Sequence, residues 1–260
     1  MNEPLPATLE RPRPLRLDWI PQVLFRPREA LKEIANQTGS VWITPLLVLT
    51  LSAILLVIVA GPIKQAAAQS GQVELPPEFQ YLSPDDQAKI QEAMSATQGP
   101  VFIYVFPGLS AVAGVWIGWL VIGGLLHLAL TLLGGRGATG AAMNLVAWSA
   151  LPFAVRDLVR AFYMLSAGRL ISEPGLSGFV GLGESVFSLY LNKLLASVDI
   201  YLVWQIILLV IGVRAASGLS RSKAVTGVLA AVLLVIVLRT LLSSVIARLA
   251  GITVIQPFFF

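Results

Sequence analysis

Long apolar runs separated by short polar segments dominate this chain. A helix that crosses the hydrocarbon core of a bilayer needs about 20 mostly apolar residues. Five runs reach that length: Val41–Ala60, Gly108–Leu133, Ala141–Leu165, Leu195–Val213 and Ala224–Ala247. The pattern predicts an all-α, polytopic membrane protein with five transmembrane helices.

The overall composition supports this class. Hydrophobic residues make up 56% of the 260 residues and charged residues 12%, and the mean hydropathy is +0.80. Soluble domains carry about 45–50% apolar and about 25% charged residues. The net charge of +4 is not massed on one segment, which argues against a nucleic-acid partner. The absence of cysteine excludes disulfides and thiolate chemistry.

The basic residues predict an orientation. If the N-terminus is cytoplasmic, the inner segments hold ten Lys and Arg residues and the outer loops four, as the positive-inside rule requires. Five spans then place the C-terminus outside. The inner residues are Arg11, Arg13, Arg16, Arg26, Arg28, Lys32, Arg136, Arg214, Arg221 and Lys223, and the outer ones are Lys64, Lys89, Arg169 and Lys193.

The residues before the first run form two predicted segments. Residues 1–18 are rich in proline and charge and read as a disordered cytoplasmic tail. Residues 19–40 read as an interfacial amphipathic segment, in which Pro27 suits the first helical position. Leu31 and Ile34 recur at helical spacing, which favours a helix on the inner membrane face. This helix is either a simple anchor or a docking site for a partner.

Residues 41–260 form the predicted membrane domain. It includes an extracytoplasmic loop, residues 61–107, in which Ser83 is a candidate N-cap for a surface helix. Asp85 and Asp86 then fall in the first turn, where the helix dipole favours acids. We interpret the acids of this loop as a solvated face and expect no metal site and no cofactor.

Three charges interrupt the third run, "LPFAVRDLVRAFYML". Arg156 lies about 22 Å from the cytoplasmic end of that run, so Arg156, Asp157 and Arg160 belong to the outer half of the membrane. Asp199 lies about 6 Å into the fourth run from outside, and Arg239 about 22 Å up the fifth. The five charges are therefore expected at a similar height.

Charges in apolar surroundings persist only if they are paired or hydrated. We therefore expect Asp199 to receive an arginine from the third or the fifth helix. Two readings of this polar cluster stay open. It is either a structural clamp between helices, or a water-lined cavity for an anionic headgroup or substrate.

Other polar and small residues predict helix packing. Gln205 lies near mid-membrane and is expected to bond across helices. Gly114 and Gly118 form a small-xxx-small pair, which permits close helix approach within the chain or in a dimer. His127 has no carboxylate nearby in the sequence and is read as a structural hydrogen bonder.

Two sequence matches to enzyme motifs lie in surroundings that do not suit those motifs. "GRGATG" at Gly135–Gly140 matches a dinucleotide-binding pattern but follows a membrane helix instead of a strand. "GLGES" at Gly181–Ser185 resembles a nucleophile elbow, yet Val186 stands where glycine is required. No catalytic residue is assigned, and we expect the protein not to be an enzyme.

Several short motifs, in order, resemble the Yip1 domain family in its prokaryotic branch. The resemblance runs from about Trp19 to the end of the fifth run. The motifs are "FRP" (Phe25–Pro27), "LLHLALTLLGG" (Leu125–Gly135), "WSALP" (Trp148–Pro152), "DIYLVWQIILLVIGV" (Asp199–Val213) and "SGLSRSKA" (Ser217–Ala224).

The resemblance implies a five-helix integral membrane protein with a cytoplasmic N-terminus. Eukaryotic relatives take part in vesicle trafficking with small GTPases, and some bacterial relatives accompany ABC-type exporters. Of the charged residues, only Asp199 falls on a family-like position. We expect a scaffold or accessory protein of a prokaryotic cell membrane, with a membrane-protein partner or a second copy as its associate. The alternative is a transport or lipid-handling protein that uses the polar cluster.

Overall fold

A computed structural model describes residues 15–37, 39–69, 83–88, 99–180 and 186–249, and every regular element among them is helical. The main α-helices are α1 (Trp19–Phe25), α2 (Pro27–Ala35), α3 (Ile43–Gln69), α4 (Phe106–Leu132), α5 (Thr139–Ser149), α6 (Leu151–Ala167), α7 (Val186–Ala196), α8 (Ile200–Ser217) and α9 (Arg221–Leu249). A π-helix, Val101–Val105, leads directly into α4, and a 3₁₀ turn, Ser177–Phe179, lies between α6 and α7.

Four helical stretches in the described residues are long and apolar enough to cross a membrane. They correspond to the first, second, fourth and fifth runs of the sequence, and they are Ile43–Ala67, Val101–Leu132, Ile200–Ser217 and Arg221–Val245.

Helices extend into both edges of the predicted outer loop. Helix α3 continues nine residues past Ala60, and the second stretch starts at Val101, so both ends of the predicted loop 61–107 are helical. Ser83 does cap a short helical turn, because its Oγ accepts a hydrogen bond from the backbone N–H of Asp86 at 3.2 Å. The remainder of that surface helix lies outside the described residues, as do residues 1–14 of the tail and the C-terminal phenylalanines.

The third run is not one continuous helix. It is divided into α5 and α6 at Ala150, where the backbone N–H of Phe153 bonds to the carbonyl of Ala150 at 2.9 Å. The cause is Pro152, which has no N–H to donate and whose ring clashes with the carbonyl four residues earlier. The expectation of a single helix over Ala141–Leu165 is therefore corrected to two shorter helices.

Helices α1 and α2 pack on the bundle. Trp19, Leu31 and Ile34 are fully buried, in a cluster with Trp148 of α5 and Leu208 of α8. The apolar face that predicts a lipid-facing helix is thus covered by protein. The polar face of α2 points away from this cluster, as the amphipathic pattern requires.

The polar groups of α5 hold the connection between α2 and α3 in place. The side-chain oxygen of Asn144 accepts the N–H of Val41 at 3.1 Å, and its amide donates to the carbonyl of Gly39 at 3.0 Å. The indole N–H of Trp148 donates to the carbonyl of Val41 at 3.0 Å. These bonds satisfy backbone groups that would otherwise be buried without partners.

Arg16, near the end of the predicted tail, is also fixed. Its backbone N–H donates to Thr44 Oγ1 at 3.0 Å, its guanidinium pairs with Asp18, and its guanidinium carbon lies 3.9 Å from the centre of the Trp19 ring. The chain is therefore ordered from at least this point onward into α1.

The main core lies between the long helices. Trp119 and Leu126 of α4, Val146 of α5, Leu209 of α8 and Val228 of α9 belong to one buried cluster. Helices α6 and α8 both end at a glycine with positive φ, Gly168 and Gly218, a backbone conformation that ends helices and that other residues adopt at a cost.

Candidate functional site

The polar cluster is built from three helices. Arg156, Asp157 and Arg160 lie on α6, Asp199 is the N-cap of α8, and Ser52 of α3 completes the set. Because Arg156 and Arg160 are four residues apart, both project from the same side of α6. That side faces the start of α8.

Asp199 lies between the start of α8 and the two arginines. Its Oδ1 accepts the backbone N–H of Leu202 at 2.9 Å, which caps the helix. Its Oδ2 lies 3.6 Å from Nη1 of Arg156 and 3.7 Å from Nη2 of Arg160. The N-terminal end of a helix also favours a negative charge, so both the helix and the arginines stabilise this carboxylate.

Asp157 faces the other way, toward α3. Its Oδ2 accepts a hydrogen bond from Ser52 Oγ at 3.2 Å, and its Oδ1 lies 3.5 Å from Nε of Arg156. The Ser52 hydroxyl also lies 2.9 Å from the carbonyl of Leu49, so one proton serves two acceptors. Arg156 thus contacts both carboxylates and joins the α3 side of the cluster to the α8 side.

These side chains are largely withdrawn from the surface. The exposed fractions are 18% for Arg156, 16% for Arg160, 9% for Asp157 and 10% for Asp199. The guanidinium of Arg156 also lies over the ring of Phe153, at 4.6 Å from its centre. The apolar neighbour and the two carboxylates together surround this arginine.

Two atoms of the cluster keep unused hydrogen-bonding capacity. Arg156 Nε and Asp199 Oδ2 are buried and make no hydrogen bond in the described part of the chain. The ion-pair distances of 3.5–3.7 Å exceed the roughly 2.7–2.9 Å of a charge-assisted hydrogen bond. The cluster is therefore held by charge more than by directional bonding.

Arg239 comes from a fourth helix, α9. It is on the exposed surface of α9, close enough to Arg156 for the two guanidinium groups to repel each other electrostatically. The structure thus brings Arg156, Asp157, Arg160 and Asp199 into one set of ion pairs and places Arg239 at its edge. With Arg239 included, three cations face two carboxylates.

The residues predicted for helix packing lie in different surroundings. Gln205 is buried inside the bundle, 2% exposed. A Cβ atom added at Gly118 would meet nothing within 4 Å, so no described residue packs tightly against that glycine. Close approach occurs instead at Gly212, where an added Cβ would lie 2.6 Å from Cδ2 of Leu145. Gly114 lies one turn before Gly118 on α4 and is half-buried.

The remaining polar residues and motifs singled out in the sequence lie outside the polar cluster. His127 Nε2 lies 3.2 Å from Thr139 Oγ1, across the turn between α4 and α5. Residues 181–185, which carry "GLGES", lie outside the described residues. In the described residues, no group of three or more His, Cys, Asp or Glu side chains is placed to hold a metal ion.

Two contributions were missed by reasoning from the sequence. Ser52 is a single small polar residue in an apolar run, and only the rotation of α3 against α6 makes it a partner of Asp157. Asn144 is likewise one polar residue at the start of the third run, and its bonds to the α2–α3 connection depend on the docking of α2. Polar residues in apolar runs were the available signal.

Apolar helices of spanning length, packed around a small set of buried ion pairs, define an integral helical membrane protein. A family model described as the Yip1 domain matches residues 22–242, from α1 into α9, and the chain belongs to that family. This confirms the resemblance seen in the motifs. No curated protein and no solved structure matches the chain.

Proposed function

We propose that this protein is a non-enzymatic scaffold or accessory protein of the membrane, of the trafficking or ABC-exporter-associated type. The observation that carries the proposal is the Yip1 domain match, which covers residues 22–242 and so includes the polar cluster and, except for the end of α9, the four spanning stretches of the described residues. In such a protein the ion pairs act as a structural clamp between α3, α6 and α8. The working surface is then the outer face of the helices.

That outer face is suited to association within the bilayer. Large apolar side chains on all four long helices are exposed, among them Leu51 of α3, Ile117 of α4, Val203 of α8 and Leu242 of α9. Exposed apolar area of this extent requires a lipid or protein neighbour. A partner helix needs no enclosed site and makes use of the faces that the bundle leaves uncovered.

A topology belongs to the same proposal. Helices α5 and α6 together form the third of five spans, the N-terminus lies in the cytoplasm, and the C-terminus lies outside a prokaryotic cell membrane. The distribution of basic residues supports this arrangement, with ten on the inner segments and four on the outer ones. The combined 28 residues of α5 and α6 reach about 42 Å as helix, enough to cross the hydrocarbon core despite the break.

The proposal is tested by the stoichiometry of partners. The tagged full-length chain is crosslinked in intact membranes, purified in mild detergent and quantified by mass spectrometry. We expect one membrane protein, such as an exporter permease, at a near-equimolar ratio. Recovery of the chain with lipid alone, at the same yield as an unrelated multispan control, would contradict a scaffold role.

A transport or lipid-handling role is the second candidate, and one observation favours it. Together with Arg239 at its edge, the cluster presents three cations against two carboxylates, and two of its buried atoms keep hydrogen-bonding capacity. Such a set suits an anionic headgroup or substrate. The double variant Arg156→Gln/Asp199→Asn keeps the net charge of the chain. Loss of bound lipid or flux at normal expression would support this role, and loss of folded protein would support the clamp.

A further inference from the structure

A second feature lies at the other end of α8 from Asp199. An open groove of about 830 Å³ runs between α2, α8 and α9. It lies near Arg214, which is 15 residues and thus about 22 Å along the helix from Asp199. The groove and the polar cluster are therefore separate places on the molecule.

The charged residues that line the groove all have one sign. Arg28 and Lys32 come from α2, Arg214 from the last turn of α8, and Arg221 from the start of α9. All four are exposed, so their long side chains are free to adjust to a ligand. The lining residues include no carboxylate, although α2 also carries Glu29 and Glu33. Glu33 pairs with Arg16, at 3.6 Å.

The rest of the groove is a wall of aliphatic side chains. Ile206, Ile207 and Val210 of α8 face Val225 and Leu229 of α9 across it. From Arg214 to Ile206 is eight residues, so the apolar wall extends about 12 Å from that cation. A ligand that matches these surroundings has an anionic head and a long aliphatic part.

We propose that this groove binds one anionic phospholipid, with its phosphate among Arg28, Lys32, Arg214 and Arg221 and its acyl chains along α8 and α9. Basic pockets between membrane helices are suited to such headgroups. A free phosphate would satisfy the cations but leave the aliphatic wall uncovered. A zwitterionic lipid would cover the wall but bring no net charge to the cations.

The full-length protein in a non-ionic detergent is titrated with dioleoyl phosphatidylglycerol, dioleoyl phosphatidylcholine or inorganic phosphate, and bound lipid is counted by native mass spectrometry. We expect phosphatidylglycerol to bind at least tenfold more tightly than phosphatidylcholine. Each cation near an anionic lipid contributes roughly fivefold to affinity, so Arg214→Gln/Arg221→Gln weakens binding by about 25-fold. Inorganic phosphate at the same concentration should not displace the lipid.

The matched control is Arg26→Gln/Arg136→Gln. Both residues are exposed, and neither lines the groove, so this variant removes the same total charge. It should bind phosphatidylglycerol as the unaltered protein does. If Arg214→Gln/Arg221→Gln fails to fold, Arg28→Gln/Lys32→Gln takes its place. That variant removes the two cations on the α2 side of the groove and should show the same loss of affinity for phosphatidylglycerol.

Three results would overturn the proposal. They are equal affinity for the two lipids, an equal loss in the control variant, and displacement of the lipid by inorganic phosphate. None of them bears on the scaffold proposal, because that proposal is judged by the partner ratio after crosslinking. The lipid groove is therefore testable whether or not a protein partner is found.

Discussion

Oδ2 of Asp199 lies 3.6 Å from Nη1 of Arg156, although the two residues are 43 positions apart and belong to different helices. The same carboxylate caps α8 through the N–H of Leu202. One side chain therefore begins one helix and attaches it to another. Its two roles are separable by substitution.

Replacing Asp199 by alanine should destabilise the protein strongly. Two largely buried guanidinium groups would then lose their shared carboxylate, a change that costs about 3–5 kcal/mol in comparable buried pairs. Thermal unfolding in detergent, followed by intrinsic fluorescence, measures the change. Asp199→Ser keeps an N-cap oxygen and should recover only the capping part, about 1 kcal/mol. A serine variant as stable as the unaltered chain would show that the ion pairs add nothing.

Removing the Trp19 side chain should also destabilise the bundle. Its ring packs edge to face on Trp148 with centres 5.4 Å apart, and it is 1% exposed. Trp19→Ala should cost about 3–5 kcal/mol, the usual range for truncating a buried aromatic residue. Phe25→Ala on the same helix is the control, because Phe25 is 81% exposed and should change stability little. Equal shifts of the melting temperature in both variants would contradict the packing of α1 on the bundle.

Two glycines should respond differently to enlargement. Gly212→Leu forces a side chain against buried Leu145 and should cost about 1–3 kcal/mol through overpacking. Gly118→Leu meets open space and should leave the unfolding temperature of the monomer unchanged. Analytical ultracentrifugation in detergent measures the oligomeric state of each variant. If Gly118→Leu abolishes a dimer that the unaltered chain forms, the small-xxx-small pair serves association between copies.

The proposed third span is testable by cysteine accessibility, because the natural chain has no cysteine. Ala138→Cys lies before α5, Ser166→Cys lies in the last turn of α6, and both positions are exposed. In intact cells a membrane-impermeant maleimide should label the second and not the first. Labelling of both positions from the same side would mean that α5 and α6 enter and leave through one membrane face. Ser222→Cys should then change sides as well, which gives an independent check.

The spanning stretches and the heights of their charged residues were predictable, because both depend only on distance along a helix axis. Apolar length alone located four stretches that meet the criteria of a spanning helix. Counting 1.5 Å per residue along the runs placed Arg156, Arg160 and Asp199 at one height, and these are the residues whose ion pairs the structure shows. Counting along an axis gives height but not rotation. The pairing of Asp157 with Ser52, and the position of Arg239 at the edge, depend on how each helix is turned.

The break in the third run was visible in the sequence as a proline, but the apolar length of the run favoured a single helix. Pro152 is visible in the sequence, and a proline ends or bends a helix near the residue before it. The docking of α1 and α2 had no such signal. The sequence pattern of an amphipathic helix is the same whether lipid or protein covers its apolar face. Leu31 and Ile34 alone therefore do not distinguish a helix on the membrane surface from one packed in the core.

The buried position of Trp19 also sets an order of assembly. Its neighbours Trp148 and Leu208 are synthesised about 130 and 190 residues later. At ribosomal rates of about 5–20 residues per second, roughly 10–40 seconds pass before Leu208 has been made. Until both neighbours have been made, the apolar side of α1 and α2 lacks part of the protein surface that covers it in the folded chain. This early segment therefore reaches its complete set of native contacts only after α8 has been synthesised.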